Sequence, residues 1–178
     1  MSEGAYLREK MFGVLEGCEW KQNPDLMNEI ILAYIGDCVY ELYVRNFSIG
    51  TGKAKTRDLS RISAGFSKAA SQANVLRRLE ASLSEEERKI VKRARNKKIT
   101  SKPKNADPMD YKLATAFEAL VGYLYLKGES ERLEAVIAAA ILGKELEETS
   151  KKSAETVDEE TGEKAEREEK NEQSGRFI

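Results

Sequence analysis

Two acidic residues in otherwise apolar, helix-forming stretches are the side chains best suited to chemistry in this chain. Asp37 follows a glycine in the apolar run that begins at Tyr34, and Glu118 lies in a second stretch of small and apolar residues. A carboxylate in such surroundings requires a cation, a metal ion or exposure in a cleft, because an isolated buried charge is strongly unfavourable. The two acids together predict a divalent-metal site shared by two helices.

Small residues accompany both acids at helical spacing. Ala33 lies one turn before Asp37, and Thr115 lies one turn before Glu118, which leaves room for a hydrated ion. Mg²⁺ prefers oxygen ligands, keeps several waters and commonly takes one or two protein carboxylates. Asp37 and Glu118 are therefore candidate Mg²⁺ ligands and candidate catalytic residues for metal-assisted hydrolysis of a phosphate ester. The alternative is a pair of core polar residues that hydrogen-bond to the backbone or to Lys112.

Composition excludes several other classes of catalyst. The 178 residues include no histidine, which excludes imidazole bases, histidine-bound zinc and Ser-His-Asp triads. The two cysteines, Cys18 and Cys38, do not form a CxxC motif, so they are predicted to be free thiols in a reducing compartment. No signal peptide or apolar run of membrane length is visible, which predicts a soluble, cytoplasmic protein that does not associate with membranes.

The elements that must position these acids are predicted to be helices. Helix-forming residues dominate, prolines number 3, and no long alternating β-branched run occurs, so the sequence predicts an all-α helical bundle. Capping and turn residues place helices at about 23–46, 56–65, 67–79, from 84, 109–127 and 131–146. The expected organisation is a lead-in over residues 1–22, one domain over residues 23–146, and an acidic, disordered tail over residues 147–178.

The net charge of −1 conceals an uneven distribution. Residues 50–104 hold 16 Lys/Arg against 5 Asp/Glu, whereas residues 145–178 hold 6 against 12. A run of basic residues is usually a solvated helix face. Here, however, no acid follows Glu87 within the run, and the run continues into a loop bounded by prolines. This pattern favours contacts with nucleic-acid phosphates.

Two segments carry a resemblance to a known family. Tyr34–Glu41 resembles the signature helix of the ribonuclease III family, and Thr115–Gly122 resembles its second acidic helix. The stretches Arg93–Asn96 and Pro103–Ala106, and the expectation that no double-stranded-RNA-binding domain follows Ala140, make the chain similar to the bacterial Mini-III branch of that family.

The resemblance implies a homodimeric ribonuclease III-like endonuclease domain. Asp37 and Glu118 match two of the family's four acids and would hold Mg²⁺, whereas Ala33 and Thr115 stand where the other two usually occur, as in the Mini-III pattern. Water would be the nucleophile, and cleavage of double-stranded RNA would leave 5′-phosphate and 3′-hydroxyl ends. The resemblance further implies a role in maturation of large-subunit (23S) ribosomal RNA.

The basic loop is expected to hold duplex RNA, which proteins contact through its backbone and 2′-hydroxyl groups. The candidate RNA-binding residues are Lys68, Gln72, Arg93, Arg95, Asn96, Lys97, Lys98 and Lys104. The sequence is also compatible with two other interpretations. The two replaced acids are compatible with a non-catalytic RNA-binding subunit of a ribosome or RNA-processing complex. The acidic tail is compatible with a helical interaction module that recruits a basic partner.

Overall fold

This computed structural model describes residues 22–98 and 107–143 of the chain. They form six α-helices: α1 (Glu29–Gly50), α2 (Thr56–Phe66), α3 (Ala69–Leu79), α4 (Glu85–Asn96), α5 (Pro108–Lys127) and α6 (residues 130–143). Short 3₁₀ turns at Pro24–Leu26 and Glu80–Ser82 precede α1 and α4. These residues include no strand, which confirms the predicted all-α fold. None of these helices is long and apolar enough to cross a membrane.

Internal contacts divide the chain into a compact unit, Met1–Ile141, and a second unit, Leu142–Ile178. Only residues 142 and 143 of the second unit are among the described residues. The predicted lead-in over residues 1–22, apart from its last residue, and the predicted tail over residues 147–178 lie outside the described residues. The domain boundaries therefore stay predictions.

Helices α1 and α5 cross at the centre of the fold and form its most extensive helix pair. Phe117 of α5 and Tyr40 of α1 pack edge to face, with ring centroids 5.0 Å apart. Helices α3 and α4 also pack against α5, so α5 buries residues around most of its circumference. A helix that is apolar on nearly all sides is typical of such a central position.

Two glycines bring the backbones of α1 and α5 into direct contact. A Cβ atom on Gly36 would overlap the carbonyl oxygen of Glu118, and a Cβ atom on Gly122 would overlap the carbonyl oxygen of Leu32. Only glycine lacks that atom, so only glycine allows this approach at both positions. The crossing therefore places residues adjacent to Gly36 close to Glu118.

The start of the first helix differs from the prediction. Asn23 accepts a hydrogen bond from the Asp25 backbone N–H at 3.0 Å and caps the 3₁₀ turn. Asn28 accepts from the Ile30 N–H at 3.0 Å and caps α1, so the predicted helix start at Asn23 is wrong. Helix α1 also continues to Gly50, beyond its predicted end.

A buried carboxylate anchors the start of α4. Glu87 is 3 % exposed, and it accepts a hydrogen bond from the Ser84 N–H at 2.8 Å while its own N–H donates to the Ser84 hydroxyl at 3.2 Å. Arg132 of α6 donates to both oxygens of the same carboxylate, at 2.7 and 2.9 Å. Although burial raises the pKa of Glu87, hydrogen bonds from Arg132 and from the Ser84 backbone lower it overall.

Candidate active site

Asp37 and Glu118 line one open cleft of about 420 Å³ between α1, α4 and α5. Asp37 directly follows Gly36, whose Cα meets the Glu118 backbone, so the helix crossing itself brings the two acids to the same place. Thr115 donates its hydroxyl proton to the Tyr111 carbonyl at 3.0 Å, one turn back along α5. Thr115 lines the cleft, as do Ile30, Ala33, Tyr34, Cys38, Ala94, Lys97, Lys98, Tyr111 and Lys112.

The pKa values of both acids are raised. Burial, and then the charge of Asp37, raise the pKa of Glu118 to about 8. Burial, and then the charge of Glu41, raise the pKa of Asp37. Because Glu118 is the more buried of the two carboxylates, the repulsion between them raises the pKa of Glu118.

No Lys or Arg of the described residues forms an ion pair with Asp37 or Glu118. The alternative in which Lys112 satisfies both acids in a core is therefore disfavoured, although Lys112 does line the cleft. The pair carries negative charge that these residues do not neutralise. Such a site is suited to a cation.

The chemistry of the donors fits a hydrated divalent ion. Two carboxylates converge in a cleft with room for water, and the small side chains of Ala33 and Thr115 line it. Mg²⁺ is commonly held in this way, by one or two carboxylates and several waters. No group of three or more acidic or thiol side chains that could hold a metal ion occurs among the described residues, so these residues offer fewer charged ligands than the four acids that the resemblance implies.

Two of the predicted RNA-binding residues hold the helices together. Arg93 and Lys97 of α4 each pair with a different oxygen of Glu29, both at 3.0 Å, and Glu29 is 8 % exposed. Arg93 also donates to the Asp25 carbonyl at 3.1 Å. Lys97 lines the cleft as well, whereas Arg93 fastens α4 to the start of α1.

The other predicted RNA-binding residues occupy different surfaces. Lys98 is exposed at the cleft, and Asn96 is exposed at the end of α4. Lys68 is exposed at the start of α3. Arg95 lines a separate pocket of about 250 Å³ formed by residues of α3, α4 and α5. Lys104 lies outside the described residues.

Gln72 does not fit the prediction that it contacts RNA, because its side chain is only 2 % exposed. It lies on the buried face of α3, and its carboxamide is close enough to Glu118 to lower the pKa of that acid. The amphipathic pattern of α3 alone did not reveal this, because the packing of α3 against α5 decides which side of the helix is covered. Gln72 is therefore a buried residue beneath the cleft and not part of the RNA-facing surface.

Sequence reasoning missed two aromatic residues of the cleft, Tyr34 and Tyr111. Tyr34 is 78 % exposed although it lies in an apolar stretch. The signal for Tyr111 was its position seven residues before Glu118, which is two helical turns on the same face. Both residues line the cleft that holds the two acids.

Comparisons with known proteins agree with this geometry. The family described as the Ribonuclease III domain matches residues 31–129. Mini-ribonuclease 3 of Brevibacillus brevis is 45 % identical over 122 residues, which cover 68 % of this chain and 91 % of that protein. Mini-ribonuclease 3 of Symbiobacterium thermophilum is 44 % identical over 118 residues, which cover 66 % and 91 %.

A solved structure has the same fold. The crystal structure of protein FN1578 from Fusobacterium nucleatum superposes with a TM-score of 0.62 at 30 % sequence identity and covers 67 % of this chain and 95 % of that one. The matched region of the family includes α1 and α5 and therefore both candidate acids. The non-catalytic interpretation is not favoured by these relatives. The chain belongs to the ribonuclease III family, as an endoribonuclease of the Mini-III branch.

Proposed function

We propose that this protein is a cytoplasmic, Mg²⁺-dependent enzyme that cleaves double-stranded RNA and that its substrate is the precursor of 23S ribosomal RNA. The observation that carries the proposal is the placement of Asp37 and Glu118 in one cleft, where burial, and then the charge of Asp37, raise the pKa of Glu118 to about 8. Lys98 and Lys112 line the same cleft. An acidic centre with basic walls suits an RNA phosphate that approaches a bound cation.

Asp37 and Glu118 would hold the Mg²⁺ ion. When bound, the ion lowers the pKa of water and neutralises charge on the leaving oxygen. The water oxygen bonds to phosphorus as the bond between phosphorus and O3′ breaks, and a proton passes to O3′, so the products are a 5′-phosphate and a 3′-hydroxyl. Asp37 and Glu118 both act as anions here, because only ionised carboxylates are good ligands.

Duplex RNA would be held by basic and amide side chains beside the cleft. Lys98 and Asn96 are exposed where α4 ends, and the basic sequence continues through Lys104. Phosphate contacts of this kind supply affinity without reading sequence. Lys68 would contribute from α3, whereas Arg93 contributes chiefly through its pairing with Glu29.

A second copy of the chain would cover the exposed face of α1. Ile31 is 48 % exposed, Tyr34 78 %, Leu42 52 % and Ile49 64 %. Their spacing of three, eight and seven residues places them on one side of the helix. Exposed apolar side chains that share one side of a helix suit an interaction surface. Because Tyr34 also borders the cleft, pairing two α1 helices would bring two active sites together, one for each RNA strand.

The test is cleavage of a long RNA duplex with Mg²⁺ and with EDTA, combined with the variants Asp37→Asn and Glu118→Gln. We expect Mg²⁺-dependent cutting that leaves 5′-phosphate ends, and a loss of at least about a thousandfold in each variant, because a metal ligand is removed. The control is Glu131→Gln, an exposed acid on α6, which should cut like wild type. Cleavage in EDTA, or near-normal cutting by either site variant, would refute the proposal.

A further inference from the structure

We propose that Gln72 is a positioning residue of the active site: its carboxamide N–H donates to the Glu118 carboxylate and holds that carboxylate in its place beside Asp37. This inference rests on the proposed function, because Glu118 is taken as a ligand of the catalytic ion. It assigns a role to a side chain of α3, a helix that otherwise contributes no residue to the cleft lining.

The position of Gln72 in α3 is one that an apolar residue would normally occupy. The buried face of this helix otherwise consists of Ala73, Val75, Leu76 and Leu79. The Nε2 atom of Gln72 is buried and has no hydrogen bond of standard geometry among the described residues. Buried polar groups in native proteins are almost always hydrogen-bonded, so an unpaired one requires an explanation. Packing alone does not explain it, since leucine or methionine would fill a similar volume without that cost.

The buried face of α3 packs against α5, the helix that carries Glu118, and Glu118 is the acceptor that we assign to the buried Nε2 group of Gln72. The carboxamide is near enough to Glu118 to lower the pKa of that acid, against burial and the charge of Asp37, which both raise it. Gln72 is the one described side chain with this favourable effect on Glu118. Hydrogen bonds in active sites are often long before a ligand is bound and shorten in the functional complex. A bond from Nε2 to the ionised carboxylate would satisfy both groups.

A hydrogen bond from Gln72 would orient the Glu118 carboxylate for binding of a cation. Two of the acids usual in the family are replaced by Ala33 and Thr115, so the orientation of each remaining carboxylate matters more. Groups that orient metal ligands typically change metal affinity or activity by about 10- to 100-fold when they are removed. Gln72 would therefore set how much Mg²⁺ the enzyme needs, without touching RNA.

The first experiment is a Mg²⁺ titration of duplex-RNA cleavage by Gln72→Leu and Gln72→Met. We expect the Mg²⁺ concentration for half-maximal activity to rise about 10- to 100-fold, with KM for RNA unchanged and much of the rate recovered at saturating Mg²⁺. The matched control is Val75→Ala, a buried change on the same helix, which should lower stability and leave the Mg²⁺ dependence unaltered. A folded Gln72 variant with the wild-type Mg²⁺ dependence would overturn the proposal.

The second experiment needs neither activity nor a Gln72 variant. The side-chain NH₂ resonances of Gln72 are followed by NMR in the wild-type protein without RNA, during addition of Mg²⁺, and in Glu118→Gln. The expected result is a shift on addition of Mg²⁺ and a different starting position in Glu118→Gln, with neither effect on the side chain of Gln22, an exposed glutamine. Unmoved Gln72 resonances would overturn the proposal even if both Gln72 variants failed to fold. Absence of Mg²⁺-dependent cleavage by the wild-type protein would instead refute the proposed function. In that case the chemical shift of the Gln72 NH₂ group in Glu118→Gln, before Mg²⁺ is added, would still test whether Gln72 contacts Glu118.

Discussion

Gly36 packs directly against the carbonyl oxygen of Glu118, so the backbone contact between α1 and α5 lies at the candidate active site. The residue after Gly36 is Asp37, and the helix that carries Glu118 is the central helix α5. The closeness of α1 and α5 therefore determines how strongly Asp37 acts on Glu118, whose pKa is about 8. A change that separates the helices would weaken packing and disturb the acid pair together.

Gly36→Ala should damage both stability and activity. The added Cβ would overlap the Glu118 carbonyl oxygen and come within 2.7 Å of the Gly122 nitrogen, and backbone atoms cannot move aside as a side chain can. We expect a loss of about 3 kcal/mol, the upper part of the usual range for overpacking, in the free energy of unfolding, measured by urea denaturation, with cleavage reduced in the protein that still folds. Gly50→Ala in the same helix is the control, since a Cβ there meets nothing within 4 Å. A mild Gly36→Ala phenotype would contradict the close crossing.

The metal-free protein should lose stability as the pH rises from about 5 to 8. The pKa of Glu118 is raised from 4.5 to about 8 in the folded chain, so between these values the folded state binds a proton that the unfolded state has released. The stabilisation is present in full below the unfolded pKa and is lost as the pH rises through the folded one, by a few kcal/mol at most. Urea denaturation in EDTA at several pH values measures it.

Two comparisons make the pH experiment specific to Glu118. The variant Glu118→Gln cannot ionise, so its stability should depend much less on pH in this range. Saturating Mg²⁺ at pH 8 should restore the stability of the wild-type protein, because an ion that binds only the folded state stabilises that state. A wild-type protein that gains stability between pH 5 and 8 in EDTA would show that burial and the charge of Asp37 do not raise the pKa of Glu118.

The helices and the acid pair could be predicted from sequence because their signals are local. Helical spacing and capping residues act within a few positions, and an acid in an apolar helix is conspicuous. The surroundings of Gln72 and Arg93 could not be predicted, because they are formed by residues distant in sequence: Gln72 is buried where α3 packs against α5, and Arg93 pairs with Glu29. The start of α1 was predicted wrongly for a different reason. Asn23 and Asn28 can each cap a helix, and the sequence alone does not show which of them caps α1.

Arg132→Met should destabilise the protein far more than loss of an exposed ion pair. Arg132 is bonded to both oxygens of Glu87, and removing it leaves a buried carboxylate without a cation, which costs about 3–5 kcal/mol. Arg61→Met is the matched control, because Arg61 pairs with Asp58 at 3.5 Å and its side chain is 81 % exposed, so less than about 1 kcal/mol is expected. Thermal and urea denaturation measure both. Equal effects would mean that Glu87 is not dependent on Arg132.

Lys98→Ala and Arg93→Ala should affect different properties, although both residues belong to the same basic run. Lys98 is exposed at the cleft, so its removal should weaken binding of duplex RNA and flatten the salt dependence by about 0.9 in slope, the value for one phosphate contact with duplex DNA. The Lys98→Ala protein should be as stable as the wild-type protein. Arg93 pairs with Glu29, which is 8 % exposed, so Arg93→Ala should cost about 1–3 kcal/mol of stability and leave the salt slope nearly unchanged.

The measurements are RNA binding over a range of salt concentrations for the non-cleaving Asp37→Asn protein that carries each substitution, and urea denaturation of each. The Asp37→Asn background keeps the RNA intact during binding. The contrary result is that Arg93→Ala flattens the salt slope as much as Lys98→Ala and leaves stability unaltered. That result would mean that the Arg93–Glu29 ion pair does not form in solution and that Arg93 contacts RNA. The separation of the two effects is expected because a guanidinium engaged by a nearly buried carboxylate releases few counterions when RNA binds.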